Sequence, residues 1–310
     1  MRFVALTLAL LSVAVFASAR EPKRPRILGV AHAAFFVHDI EKSRAFYKGF
    51  LGYDEAFPLK NGDGTLALTF IKINDRQYLE LFPEREAGSD RLAHISVETD
   101  NAEMMRLYLK ARGVTVPDTV SRGRIGNTSF NVKDPDGHTL EFVQYEPTGQ
   151  TALAQRQLMT GEAVSRDMRH LGILVGALGE AMGFYRDVLG FTETWRGSRD
   201  GKELSWVNLQ VPDGDDYIEF MLYRDLPAPT KRGSQHHIAL FVPDIAKTEA
   251  VLKARAAKTG YAQTIEIRTG INRKRQLNLY DPDGTRCELM EPTTIDGKPT
   301  PSSMAPPPKK

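Results

Sequence analysis

"KDPDGHTLEFV", residues 133–143, sets a tight turn before a strand and puts a carboxylate inside that strand. Proline fixes φ, glycine accepts positive φ, and aspartate bonds its own backbone, so Asp134, Pro135, Asp136 and Gly137 account for the turn. Residues 139, 141 and 143 share one face of the strand and 140 and 142 share the other, so Glu141 has largely apolar company. An ionised carboxylate in that setting is costly without a partner.

The stretch is repeated. "DPDGHTLEF" at 134–142 returns as "DPDGTRCEL" at 281–289, an offset of 281 − 134 = 147. "RAFYKGFLGY" at 44–53 returns as "MGFYRDVLGF" at 182–191, an offset of 182 − 44 = 138. The second half of the chain is therefore a copy of the first. Each half divides again, because four segments open alike: "HAAFFVHDI" from His32, "HISVETDNA" from His94, "HLGILVGAL" from His170 and "HIALFVPDI" from His237.

Each opening run is β-rich and continues into a helical pattern. Phe46, Tyr47, Phe50 and Leu51, and again Phe184, Tyr185, Val188 and Leu189, mark one apolar helix face, with Gly52 and Gly190 as stops. In the second and fourth modules the helices run from about Asn101 to Arg112 and Asp244 to Lys258, with Gly113 and Gly260 beyond them. Several β-rich stretches follow each helix, among them "TLALTFIKI", "QYLELF", "LSWVNLQV" and "YIEFMLY". The module reads β-α-β-β-β, an α+β class, four times over.

Every module also ends on a strand with one glutamate in apolar company: Glu80, Glu141, Glu219 and Glu288. A single histidine at a strand start is ordinarily a packed residue, and a single strand glutamate an outward one. Here four of seven histidines hold one module position, and each is followed by its glutamate after 47 to 51 residues. Two modules placed face to face would collect two imidazoles and two carboxylates. Such a set suits a divalent transition metal with open positions for water or substrate, and the ion would neutralise the buried acids. Glu141 is thus read as a metal ligand.

On the "FYxxxLG" helices, the "DPDG" turns and these His and Glu positions, about residues 28–147 and 168–292 resemble the vicinal oxygen chelate superfamily. That superfamily includes glyoxalase I, fosfomycin and bleomycin resistance proteins and extradiol dioxygenases. The resemblance implies paired βαβββ modules, each pair curling into a cup-shaped half-barrel around a metal. It places ligands at His32, Glu80, His94 and Glu141 in the first half and at His170, Glu219, His237 and Glu288 in the second. Pairing first with fourth and second with third modules would exchange members between the sets, and the sequence leaves that open.

The four-ligand pattern looks most like glyoxalase I, which implies a divalent ion (nickel, cobalt, zinc, manganese or iron(II)) acting as Lewis acid. A ligand glutamate, Glu141 or Glu288, would move a proton of a small substrate with adjacent oxygens. Glyoxalase I carries an arginine four residues after its first ligand; Phe36 and Leu174 stand there, so a lyase or isomerase acting on a substrate other than the glutathione adduct is expected. Extradiol ring cleavage is the alternative; those enzymes use two His and one Glu, and Asn131 and Asn278 replace their tyrosine. A non-catalytic drug-binding or sequestering protein is a further alternative, although proteins of that kind typically lack the ligands. Arg122, Arg124, Arg268, Arg273, Lys274 and Arg275 crowd the loops before the penultimate strands, either as anchors for an anionic substrate or as solvated loop residues. His38, His138 and His236 have no matched partners.

The chain has 310 residues, with 41 Lys plus Arg against 39 Asp plus Glu. That balance points to a small-molecule partner and away from nucleic acid or an anionic membrane. Arg2, an apolar run from Phe3 to Phe16 and Ala17-Ser18-Ala19 predict a signal peptide at 1–19 and export to the periplasm or medium. After its removal no run is long enough to span a membrane, and a monomer or homodimer is expected. Cys287 is the only cysteine. It reads as a small core residue. The expected domains are 27–147 and 168–292, joined by a linker at 148–167 with a short helix, and followed by a disordered tail at 293–310 rich in Pro, Ser and Lys.

Overall fold

The computed structural model describes residues 22–84, 86–88 and 90–309; the segment read as a signal peptide lies outside them. Eight strands carry the architecture. They are β1 (Ile27–Val37), β2 (Tyr78–Pro83), β3 (Leu92–Thr99) and β4 (Thr139–Gln144) in the first half. In the second they are β5 (Met168–Val175), β6 (Tyr217–Leu222), β7 (His237–Phe241) and β8 (Arg286–Thr294). The first sheet runs β2-β1-β3-β4 at its centre, flanked by Leu66–Lys72 on one side and Thr128–Lys133 on the other. The second runs β6-β5-β7-β8, flanked by Trp206–Gln210 and Lys274–Tyr280. Each sheet therefore joins neighbouring modules, which settles the pairing that the sequence left open.

Pairing is parallel for β1 with β2 and for β3 with β4, and antiparallel for β1 with β3. The second sheet repeats this. Strand alternation then divides each sheet into two faces. Ala33, Phe35 and Val37 of β1, with Leu79 and Leu81 of β2, enter a buried core together with Phe46, Tyr47, Phe50 and Leu51 of the first helix. His32 and Ala34 of β1, and Glu80 of β2, take the other, concave face.

The helices follow the sequence signals. Asn101 caps Ala102–Ala111 by accepting from the Met104 amide, and Asp244 caps Ile245–Thr259 through Lys247. Gly260 ends the latter at φ +75°, where a side chain would be strained. In the odd modules the "FY" helices widen to π geometry over Ala45–Phe50 and Gly183–Val188. Phe50 stacks on Tyr261 of the other half with ring centroids 4.3 Å apart, so one core serves both halves.

The linker and the tail are both held to the rest of the fold by hydrogen bonds. The linker forms the short helix Gln150–Leu153, and the buried Lys72 ammonium donates to the Ala154 and Gln157 carbonyls. The tail, expected to be disordered, lies along the edge strand Thr192–Gly197 and beside it. Ser303 donates to the Arg196 carbonyl at 2.9 Å, Pro306 accepts from the Leu204 amide at 2.8 Å, and Pro301 accepts from Trp195 Nε1 at 2.6 Å. The edge strand's own backbone is met by serines, since the Arg196 amide also donates to Ser302 Oγ at 3.3 Å, while the proline carbonyls take the Leu204 amide and the Trp195 indole. Cys287 is buried, and burial pushes its thiol up, as a core residue requires. Among the described residues no helix is long and apolar enough to cross a membrane.

Candidate metal centre

Register brings the predicted ligands together. Ala34 of β1 sits between Glu80 of β2 and His94 of β3. One step along the same face, Ser96 of β3 sits between His32 of β1 and Glu141 of β4. Two rows, Glu80-Ala34-His94 and His32-Ser96-Glu141, therefore lie side by side on the concave floor. The second sheet repeats them as Glu219-Gly172-His237 and His170-Ala239-Glu288. The middle residue of each row is small. Only the outer residues reach upward, and they meet above it.

In the first cup His32 Nε2 lies 3.0 Å from His94 Nε2, 2.9 Å from Glu141 Oε2 and 3.4 Å from Glu80 Oε1. His94 Nε2 is 3.5 Å from Glu80 Oε2 and 3.9 Å from Glu141 Oε2. In the second cup the two Nε2 atoms are 3.2 Å apart, and His237 Nε2 lies 3.4 Å from Glu219 and 3.7 Å from Glu288. The tightest sets are His32, His94 and Glu141, and His170, His237 and Glu288, each with one donor atom per residue within 4.8 Å of the others. All eight sequence-predicted ligands thus fall into two groups of four.

The electrostatics of the first cup show an unbalanced site. Burial pushes the Glu80 carboxyl up to about 7; His32 opposes that and Glu141 adds to it. Glu141, buried as well, is nevertheless drawn down to about 2 by His32. Burial, with His32 nearby, lowers His94 to about 4. Two carboxylates and two converging imidazole nitrogens in a dry floor are the donor set that a divalent ion of the zinc, nickel or iron(II) type takes. These residues fit such an ion, and it would supply the missing positive charge.

Above this floor is a cavity of 160 Å³ walled by apolar side chains, including Leu59, Leu68, Phe70 and Ile125, with Arg124 at its rim. Thr151 of the linker helix also lines it, so the linker closes one side. Of the six basic residues expected in loops, Arg124 lines the first cavity from a turn and Arg268 the second from the short strand Arg268–Thr269, while Lys274 and Arg275 fall on the strand Lys274–Tyr280 itself. Arg273 and Arg275 instead pair with Asp296 and Glu291. His138 and His236, to which the sequence gave no role, are buried edge to face between the halves.

Arg286 is the residue that sequence reasoning missed. It precedes Glu288 by two positions and so shares its face. Its Nη2 lies 2.7 Å from His237 Nδ1 and 2.9 Å from His237 Nε2. The repeat would have exposed it, because the offset of 147 sets Arg286 against Thr139. Tyr217, stacked on His170 at 4.6 Å between ring centroids, was also unforeseen.

Duplicated βαβββ cups with a His/Glu floor define a class of metal-site proteins built on paired half-barrels. Residues 29–142 and 168–289 each match the Glyoxalase/Bleomycin resistance protein/Dioxygenase superfamily, and the chain belongs to it. A lactoylglutathione lyase of Neisseria meningitidis is 31% identical over 121 residues, covering 36% of this chain and 88% of that one. Among solved structures, the Mn(II)-bound glyoxalase from Novosphingobium aromaticivorans aligns with TM-score 0.65 at 18% identity over 86% of this chain and 83% of that one. The 2,3-dioxygenase LapB from Pseudomonas sp. KL28 aligns with TM-score 0.65 at 18% identity over 89% and 97%. At that identity the structural likeness speaks for the fold.

Proposed function

We propose that the first cup is the active site of a metal-dependent, glyoxalase-like lyase or isomerase acting on a small substrate with adjacent oxygens. The observation that carries this is the four-donor floor of His32, Glu80, His94 and Glu141 beneath a small, mainly apolar cavity. A bound divalent ion would supply Lewis-acid stabilisation of the oxyanion that develops when the substrate loses a proton. His32 and His94 hold position on rigid strands. The apolar walls exclude water and keep the substrate's oxygens over the floor. Glu141 lines the cavity and accepts the proton, with Glu80 opposite it, and the low dielectric strengthens both effects. The leader sequence supports export of the mature chain.

A second reading, oxygen-dependent ring cleavage, has one specific observation in its favour. His32, His94 and Glu141 alone form a two-histidine, one-carboxylate set of the kind non-haem iron(II) enzymes use. Glu80, 3.4 and 3.5 Å from the two imidazoles, is the extra donor that speaks against it.

The deciding experiment sets proton exchange with α-hydroxyketones and hemithioacetals beside oxygen uptake with iron(II) and a catechol panel. Solvent-proton exchange without oxygen consumption supports the lyase or isomerase. Oxygen-dependent cleavage moves the chain to the dioxygenase class, and tight binding without turnover makes it a sequestering protein. N-terminal sequencing of protein from fractionated cells tests export, with a mature chain starting near Arg20 expected.

A further inference from the structure

The two cups are copies, yet one aligned position changes their chemistry. Where the first has Thr139, the second has Arg286. The His237 ring lies with Nδ1 3.0 Å from the Gln235 carbonyl oxygen, to which a neutral ring donates from that nitrogen. The lone pair then sits on Nε2, and Arg286 Nη2 is packed against the ring, 2.9 Å from Nε2 and 2.7 Å from Nδ1. A guanidinium packed this close to the imidazole competes with a metal ion for its lone pair. A fixed positive charge at that distance also repels one.

Gly172 makes the arrangement possible. A Cβ at this position would come within 1.8 Å of His237 Cε1, so only glycine lets the ring lie down against β5. The equivalent residue of the first cup is Ala34, beside His94.

The surroundings of the two floors differ in sign as well. The first cavity sets one arginine, Arg124, against Glu80 and Glu141. The second, of 340 Å³, sets Arg199, Arg268 and Arg286 against Glu219 and Glu288. With neutral imidazoles the first lining is net negative and the second net positive. Arg286 keeps donors in reserve, since its buried Nε has no hydrogen-bond partner. Trp206 carries the Arg199 guanidinium 5.4 Å over its ring, and Trp195 also lines the cavity. A flat anion has both a charge partner and an aromatic wall there.

We propose that the second cup takes no metal and instead binds a small carboxylate, with Arg286 standing as its cation. The contrast with the first cup rests on the metal reading given above.

The chain's two tryptophans are Trp195 and Trp206, and both line the second cavity, so intrinsic fluorescence reports on that cup. Full-length protein, loaded with excess cobalt(II) and desalted, would be assayed for bound metal, and benzoate would be titrated against tryptophan emission. One ion per chain is expected, lost in His94→Ala and retained in His237→Ala. Benzoate should change the emission saturably in wild type and in His94→Ala, and Arg286→Thr should weaken that response about tenfold or more. Arg286→Lys, which keeps the charge, should bind benzoate between the two and guards against a folding artefact. Two ions per chain, loss of the ion in His237→Ala, no response to benzoate, or a response that survives Arg286→Thr unchanged would each overturn the proposal. A wild type that binds no ion at all overturns the function proposed for the first cup, while the benzoate arm still judges the second.

Discussion

Tyr47 donates to Asp281 Oδ2 across 3.1 Å, although the two residues are 234 positions apart. Tyr185 makes the same 3.1 Å bond to Asp134. Each tyrosine belongs to the "FY" helix of one half and each aspartate opens the "DPDG" turn of the other. The turn that begins a ligand strand in either half is therefore pinned by the opposite half. The same Asp134 accepts from the His138 amide and ring at 2.8 Å, so the turn is held from inside and outside.

Removing one phenol should weaken this bond between the halves without emptying a cavity. Tyr47→Phe and Tyr185→Phe should each lower stability by about 1–3 kcal/mol, since a buried carboxylate oxygen loses its donor. Urea denaturation measures this, and midpoints equal to wild type would show the bonds to be incidental.

Burial pushes the Asp281 carboxyl up to about 6. Its folded value is raised above the unfolded one, so its contribution to stability is fully present below about 3.8 and is lost as pH rises through about 6. Asp281→Asn keeps an acceptor for the Thr285 and Asp283 amides and carries no charge. The variant should flatten the fall in stability between those values, a difference of up to about 3 kcal/mol at neutral pH. Denaturation curves across that range decide it; parallel profiles would refute the assignment.

Glu141→Gln keeps the shape of the first floor and removes the proton acceptor. Turnover should fall by about two to four orders of magnitude, while bound metal falls less. Glu80→Gln should show the reverse bias, with metal affected more than the chemical step. Equal losses of both quantities in both variants would show that the two glutamates serve only as ligands.

Gly172→Ala would place a methyl group where His237 Cε1 lies. Overpacking of this kind should cost about 1–3 kcal/mol and turn the ring away from Arg286. Thermal unfolding together with the imidazole NMR signals would report both effects. An unshifted His237 signal would contradict the contact.

Lys72 is buried and donates to Asp75 at 2.8 Å as well as to the linker carbonyls of Ala154 and Gln157. Lys72→Ala should release residues 148–157 and speed their cleavage in limited proteolysis several-fold, with unchanged cutting elsewhere. Cleavage at the wild-type rate would mean that other contacts hold the segment.

The repeat made much of this architecture readable. His32, His94, His170 and His237, with their glutamates, could be named because a ligand position recurs even when single residues are ambiguous. Asn101, Asp244 and Gly260 marked helix ends because capping is local chemistry. Module pairing was not readable, since it depends on which strand lies beside β1, a long-range choice. The order of the tail escaped because composition reports what a segment can bury, whereas Pro301, Ser303 and Pro306 are held by hydrogen bonds to an edge. Arg286 stands two residues from Glu288 at a position where the repeat differs, and a repeat marks the residues its copies share.

All eight donors stand on strands, and their separations follow from strand spacing and from the small residues between them. The cavity walls draw on flanking strands but also on turns and the linker: Arg124, Ile125 and Thr151 in one cup, Ile271 in the other. Part of each wall can thus change without touching the floor. A lineage could adjust its clientele of molecules by rewriting those turns, and a single strand substitution could retire one floor while its twin carried on.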